Sequence, residues 1–135
     1  MNDIVVDTSA IIAILFDEAG AAGLAEKMAR ASSRVMSAAN YVELGTVLAG
    51  RREGAPERIA ADLDRVLSQF DVTIAPVTHP LARDALTARV KFGKGFGAPA
   101  GLNYGDSFAH ALAKSLDAPL LFVGNDFSKT DVQIA

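Results

Sequence analysis

The sequence predicts an α/β fold: a three-layer α/β/α sandwich with a central parallel sheet of four to five strands, forming a single domain over residues 1–135. Three features predict it. Short runs rich in β-branched residues alternate with longer segments whose apolar residues recur at helical spacing. Such alternation places crossover helices on both faces of a parallel sheet. No internal repeat, linker or low-complexity tract interrupts the pattern, and half the residues are hydrophobic, enough to build one buried core.

The elements follow in order. Ile4-Val5-Val6 is short, continuous and apolar, as a strand buried on both faces should be. Thr8 or Ser9 supplies the cap for a helix through Ala10–Leu15. Residues 21–31 form a second helix, with Leu24 and Met28 one turn apart on one face. Arg34-Val35-Met36 is the second strand, and a helix through Tyr41, Leu44, Val47 and Leu48 ends near Gly50. Pro56 suits the first turn of the next helix, which carries Ile59, Leu63, Val66, Leu67 and Phe70. Val72–Ala75 is a third strand, closed by Pro76. Thr78 caps a helix with Pro80 in its first turn. A glycine-rich loop over 93–101 leads to a helix over 104–116. Leu120–Val123 is the fourth strand, and Val132-Gln133-Ile134 supplies a short fifth.

Composition narrows the chemistry. The absence of cysteine excludes disulfides, thiolate metal sites and cysteine nucleophiles. Two histidines, His79 and His110, are too few for a histidine-rich metal site. The net charge of −3 without a basic block argues against a binder that relies on a cationic surface. The apolar stretch from Ala10 to Phe16 is far shorter than the ~20 residues of a membrane span. The acidic start Met1-Asn2-Asp3 is unlike the basic head of a signal peptide, so the cytoplasm is the expected compartment.

Four carboxylates stand at element boundaries: Asp7, Glu43, Asp106 and Asp126. Each has an ordinary explanation when taken alone. Asp7 would cap a helix, Asp106 would close a capping box with Asn103, Asp126 would form a turn, and Glu43 would sit on a solvated helix face. Together they fall at the carboxyl-end rim of a parallel sheet, where α/β folds place their sites. Carboxylates gathered there would repel one another unless a cation neutralised them, and oxygen ligands suit Mg²⁺ or Mn²⁺.

Four segments carry a specific resemblance: Val5-Val6-Asp7-Thr8-Ser9-Ala10, Tyr41-Val42-Glu43, Leu102-Asn103-Tyr104-Gly105-Asp106-Ser107-Phe108-Ala109, and the stretch from Phe122 to Asp131. In order and spacing they resemble the PIN-domain ribonucleases, above all the VapC-type toxins of type II toxin–antitoxin pairs. The resemblance covers essentially the whole chain. It implies a Mg²⁺- or Mn²⁺-dependent endoribonuclease that is neutralised by a cognate antitoxin, forms a homodimer and meets DNA only through the antitoxin. Asp7, Glu43, Asp106 and Asp126 match the family's acidic constellation by position. Ser9 and Thr130 match its supporting polar positions, Asn125 flanks it, and Asp131 is a candidate fifth acid.

With no histidine pair to act as acid and base, attack by an activated water is favoured over attack by the RNA 2′-hydroxyl. That route leaves a 5′-phosphate, as the resemblance also implies. Two other classes are open on the sequence. One is a PIN-like binding module or co-repressor with little nuclease activity. The other is a phosphoryl-transfer domain built on Asp7, disfavoured because position 9 is serine where a second acid would stand. Gly93-Lys94-Gly95-Phe96-Gly97 lacks the strand context of a nucleotide-binding fingerprint and reads as a loop, with Lys94 and Phe96 available to RNA. His110, one turn after Asp106, reads as a packed or supporting residue. Arg51-Arg52, Arg83, Arg89 and Lys91 are cations available to RNA or an acidic partner.

Overall fold

The computed structural model describes residues 2–51 and 56–135; of the cations named above, Arg52 lies outside them. Among these residues, four strands form one sheet: β1 (Ile4–Val6), β2 (Arg34–Ser37), β3 (Val72–Ala75) and β4 (Leu120–Leu121). Their order is β3-β2-β1-β4, and every pairing is parallel. Among the described residues, six α-helices cover the sheet: α1 (Thr8–Leu15), α2 (Ala21–Arg30), α3 (Ala38–Arg51), α4 (Ile59–Gln69), α5 (His79–Phe92) and α6 (Tyr104–Leu116).

The two-residue repeat of each strand divides the core. Ile4, Val6, Met36 and Leu121 pack with Ile11 of α1, Met28 of α2, Leu44 of α3 and Leu63 and Leu67 of α4. Val5 and Leu120 point the other way, onto Ala109, Leu112 and Ala113 of α6, with Leu81 and Phe92 of α5 beside them. These are the two apolar layers of a three-layer sandwich. Val5 and Val6 are fully buried on opposite faces, which explains the unbroken apolar run. Among the described residues, no helix is long and apolar enough to cross a membrane.

Several boundaries differ from the sequence reading, each for a local reason. The cap of α1 is Asp7, not Thr8 or Ser9, because the Asp7 side chain accepts from Ser9 N. Pro56 opens a short 3₁₀ turn, Pro56–Arg58, ahead of α4, a common way for a helix to start. β4 ends at Leu121 instead of Val123. Val123 N donates to Ser9 Oγ (3.0 Å), not to a strand, and Gly124 then turns the chain at a φ of 104°. The predicted fifth strand is reduced to a single bridge between Leu120 and Ile134.

All four strands run the same way, so their carboxyl ends share one rim. Asp7 follows β1 directly, and Asp7 N donates to Leu121 O (2.9 Å), joining it to the end of β4. β2 turns straight into α3, with Ser37 Oγ accepting from Ala39 N (3.2 Å). The turn after β4 carries Asp126. This rim is where the chemistry-bearing residues gather.

Candidate functional site

Asp7, Glu43, Asp106 and Asp126 line one cleft of about 250 Å³, together with Thr8, Ser9 and Asn103. Four different segments bring them there: the end of β1, the second turn of α3, the first turn of α6 and the turn after β4. The ordinary reading of the two buried aspartates as capping residues therefore holds, and the capping bonds use only one of the two oxygens that each carboxylate carries. Asp7 Oδ2 accepts from Ser9 N (3.1 Å) and from Ser9 Oγ (2.6 Å). Asp7 Oδ1 is buried without a hydrogen-bond partner. Asp106 Oδ2 accepts from Asn103 N (3.0 Å), while Asn103 Oδ1 accepts from Asp106 N (2.8 Å), a complete capping box.

Burial sets the electrostatics. Asp7 is 4% exposed and Asp106 7%. Desolvation raises the Asp7 carboxyl to about 6, against the hydrogen bonds from Ser9 that favour its charged form, and the Glu43 charge adds to the rise. Desolvation likewise raises Asp106 to about 7, opposed by the Asn103 backbone and reinforced by the nearby charges of Asp7 and Asp126. The cleft thus concentrates negative charge where water is scarce. An unpartnered buried carboxylate oxygen is costly in isolation and is what a cation would relieve.

The donor set suits a hard divalent cation in one particular way. Among the described residues, no three His, Asp or Glu side chains converge as a ready-made metal cage. Mg²⁺ seldom uses such cages; it is commonly held by one or two carboxylates with waters and substrate phosphates completing its shell. Asp7 and Asp106 fit that pattern, with Glu43 and Asp126 at the same cleft.

Glu43 is held by two residues that the sequence reading did not single out. Asn40, fully buried, donates through Nδ2 to Gly105 O (3.0 Å) and, at 3.4 Å, to Glu43 Oε1. Its backbone carbonyl accepts from Thr8 Oγ1 (3.2 Å). Asn40 therefore ties α3 to the starts of both α1 and α6. The signal was present, since an Asn three residues before a helical Glu shares its face, but one position gives no indication that the amide is buried. Gly105 completes the arrangement: a Cβ there would collide with the Glu43 carboxylate. Gly105→Ala should leave thermal stability near wild type, because alanine favours the helix by about 1 kcal/mol and only the end of a flexible side chain must move. It should still weaken Mn²⁺ binding by roughly 10–100-fold, the usual cost of disturbing a ligand's supports; isothermal titration with Mn²⁺ measures it.

The remaining predicted residues are placed as follows. Ser9 links Asp7 to the turn carrying Asp126, donating to the carboxylate and accepting from Val123 N. Asn125 is exposed, and its backbone carbonyl accepts from Ser128 N (3.3 Å). Thr130 shapes the same turn, donating to Phe127 O (2.8 Å) and accepting from Val132 N (3.3 Å). Neither Asn125 nor Thr130 lines the acidic cleft. Asp131 lies elsewhere, against α6, where its Oδ1 is 2.8 Å from His110 Nε2 and its Oδ2 is 3.3 Å from Lys114 Nζ. Burial lowers the affinity of His110 for a proton even against the pull of Asp131. His110 and Asp131 thus form a packing pair apart from the four acids. Of the cations, Arg51 lies over the Phe16 ring (4.5 Å), and Arg89 donates to Lys94 O (2.8 Å) beneath the glycine-rich loop.

Comparison with known proteins bears on the family and the fold. Residues 4–133 match the family model described as PIN domain. Ribonuclease VapC28 of Mycobacterium tuberculosis is 47% identical over 131 residues, covering 97% of this chain and 96% of the relative. Among solved structures, the Mycobacterium tuberculosis VapC20, described as a Sarcin-Ricin loop cleaving toxin, superposes with a TM-score of 0.74 at 18% identity, covering 98% of each chain. A toxin–antitoxin complex from Klebsiella pneumoniae gives 0.69 at 15% identity, covering 98% of this chain and 96% of that one. At such identities the two structures speak for the fold.

Proposed function

The chain belongs to the PIN domain family and, within it, to the VapC ribonucleases, and on that footing we propose that it is a Mg²⁺- or Mn²⁺-dependent endoribonuclease acting as the toxin of a toxin–antitoxin pair. The observation that carries the metal-dependent reading is Asp7 Oδ1, buried and unpartnered in a cleft shared with three other acids. Asp7 and Asp106 would hold the cation, with Glu43 and Asp126 adding charge around it. When bound, it would polarise the scissile phosphate and ease the deprotonation of a water.

The protein's own residues do the positioning. Ser9 fixes the Asp7 carboxylate through Oδ2, which leaves Oδ1 for the cleft. The capping box does the same for Asp106 and sets it at the N-terminus of α6, where the helix dipole favours negative charge. Asn40 and Gly105 hold Glu43 against α6. A phosphodiester entering this cleft meets oriented acids without a nearby histidine, since His110 is engaged with Asp131. This favours attack by water over attack by the 2′-hydroxyl.

A protein antitoxin as inhibitor is supported by the shared fold of the Klebsiella pneumoniae toxin–antitoxin complex; the homodimer, the cytoplasmic setting and contact with DNA only through the antitoxin belong to the same reading. The test is direct. Pure protein should cut RNA in Mn²⁺ or Mg²⁺, stop on addition of EDTA, and leave 5′-phosphate ends. Products ending in 2′,3′-cyclic phosphate, or cleavage that persists in EDTA, would overturn the metal-dependent route.

A further inference from the structure

We propose that the apolar recess beside the acidic cleft is a nucleobase subsite, in which a base of the single-stranded RNA substrate stacks on Tyr104; this rests on the endoribonuclease reading above. The recess has a volume of about 350 Å³, within the size range of small-ligand pockets, roughly 300–1,000 Å³. Its walls include Val42, Tyr104 and Phe108, and its one charged lining residue is Glu43. Glu43 and Asn103 also line the acidic cleft, so the two spaces meet along a shared wall. A strand with a phosphate in the cleft has a neighbouring base within reach of the recess.

The rings are presented for stacking. Tyr104 is the first residue of α6 and 71% exposed, and Val42 is 65% exposed. Tyr104 packs edge-on against Phe108, with centroids 5.0 Å apart and planes at 76°, an arrangement that steadies the Tyr104 ring. The chemistry of the two spaces is complementary: charged groups gather at one, and aromatic and aliphatic groups at the other. Single-stranded RNA is recognised in this way, with unstacked bases laid on aromatic side chains. A base is favoured over a second protein chain because the recess shares Glu43 and Asn103 with the cleft that would take the phosphate.

The test uses short single-stranded RNAs carrying 2-aminopurine at successive positions, mixed with the full chain in Mn²⁺, with fluorescence read on mixing and cleavage followed afterwards. Wild type should quench the probe at one or two positions next to the cleavage point. Tyr104→Ala should lose that quenching and raise KM about tenfold with kcat nearly unchanged, as expected for loss of one stacked base. Tyr104→Phe should restore both. Equal quenching by wild type and Tyr104→Ala would overturn the subsite, as would an equal loss on RNA whose affected base is replaced by an abasic unit. Sedimentation of the same proteins adds a third arm: dissociation of a dimer by Tyr104→Ala would assign the recess to a second copy of the chain and overturn the proposal. Tyr104-independent cleavage refutes only the subsite. Tyr104-dependent quenching with no cleavage supports the subsite and refutes the nuclease reading.

Discussion

Asp7→Asn, and separately Asp106→Asn, should each abolish metal-dependent RNA cleavage while leaving the fold intact. The two halves of this expectation come from different oxygens of the same side chain. Asparagine caps helices as well as aspartate does, so the amide oxygen can still accept from Ser9 N at position 7 or from Asn103 N at position 106. Thermal unfolding and circular dichroism should therefore stay native. The cleft loses a negative charge and an anionic ligand in either variant. Electrostatic stabilisation by a bound cation is worth several kcal/mol, so the rate should fall by roughly 10³-fold. Cleavage of a fluorescent RNA in Mn²⁺, compared across the three proteins, measures it; either variant cutting at the wild-type rate would remove the four-acid site from the mechanism.

The second large effect is on stability. Asp7 and Asp106 are raised to about 6 and about 7, chiefly by burial, from an ordinary value of 3.8. A carboxyl whose folded pKa lies above its unfolded one gives stability that is fully present below the unfolded value and lost as pH rises through the folded one. Asp7 and Asp106 should thus weaken the metal-free protein as pH rises from about 5 to 7, opposed up to 6.5 by His110, whose lowered pKa gives stability that grows with pH. For Asp7 alone the whole loss between 3.8 and about 6 is about 3 kcal/mol, of which about 1.4 kcal/mol falls above pH 5, each pKa unit being worth about 1.4 kcal/mol. Asp7→Asn should flatten part of the slope and stabilise the metal-free protein at pH 8. Saturating Mn²⁺ should remove most of the slope from wild type, because the cation binds the ionised form. The window is kept above pH 5 because Asp131, whose hydrogen bonds with His110 and Lys114 hold its carboxyl low against its partial burial, contributes stability that is lost at lower pH. Denaturant melts of wild type and Asp7→Asn with EDTA and with Mn²⁺ at several pH values test the pattern; a metal-free stability that changes with pH identically in the two proteins would contradict it.

What the sequence made legible, and what it hid, has a physical pattern. The alternation of strands and helices was readable because Val5 and Val6 must each satisfy a different apolar face, and a run buried on both sides has few alternatives. The four acids were readable because residue type and boundary position coincide at one rim. Less visible was anything decided by a single contact across the fold. Asn40 is an ordinary helical asparagine until Gly105 O is found 3.0 Å from its amide. Gly105 gave no sign of being required until the Glu43 carboxylate filled the place of its missing side chain. The length of β4 depended on a serine more than 100 positions away, because Ser9 Oγ captures Val123 N. Local pattern reports which groups are available, and tertiary contact decides which of them are used.

The double duty of Asp7 and Asp106 bears on how activity is lost in a lineage. Both aspartates hold a helix end through Oδ2, so a descendant with no further use for catalysis would still be penalised for any replacement there except asparagine, which keeps the accepting oxygen. A side-chain oxygen at these two positions therefore certifies a sound fold more than a working site. Asp126, exposed and capping no helix, has no such protection and would be the first acid to drift. A chain of this architecture is better judged alive or dead by the acid its folding does not need.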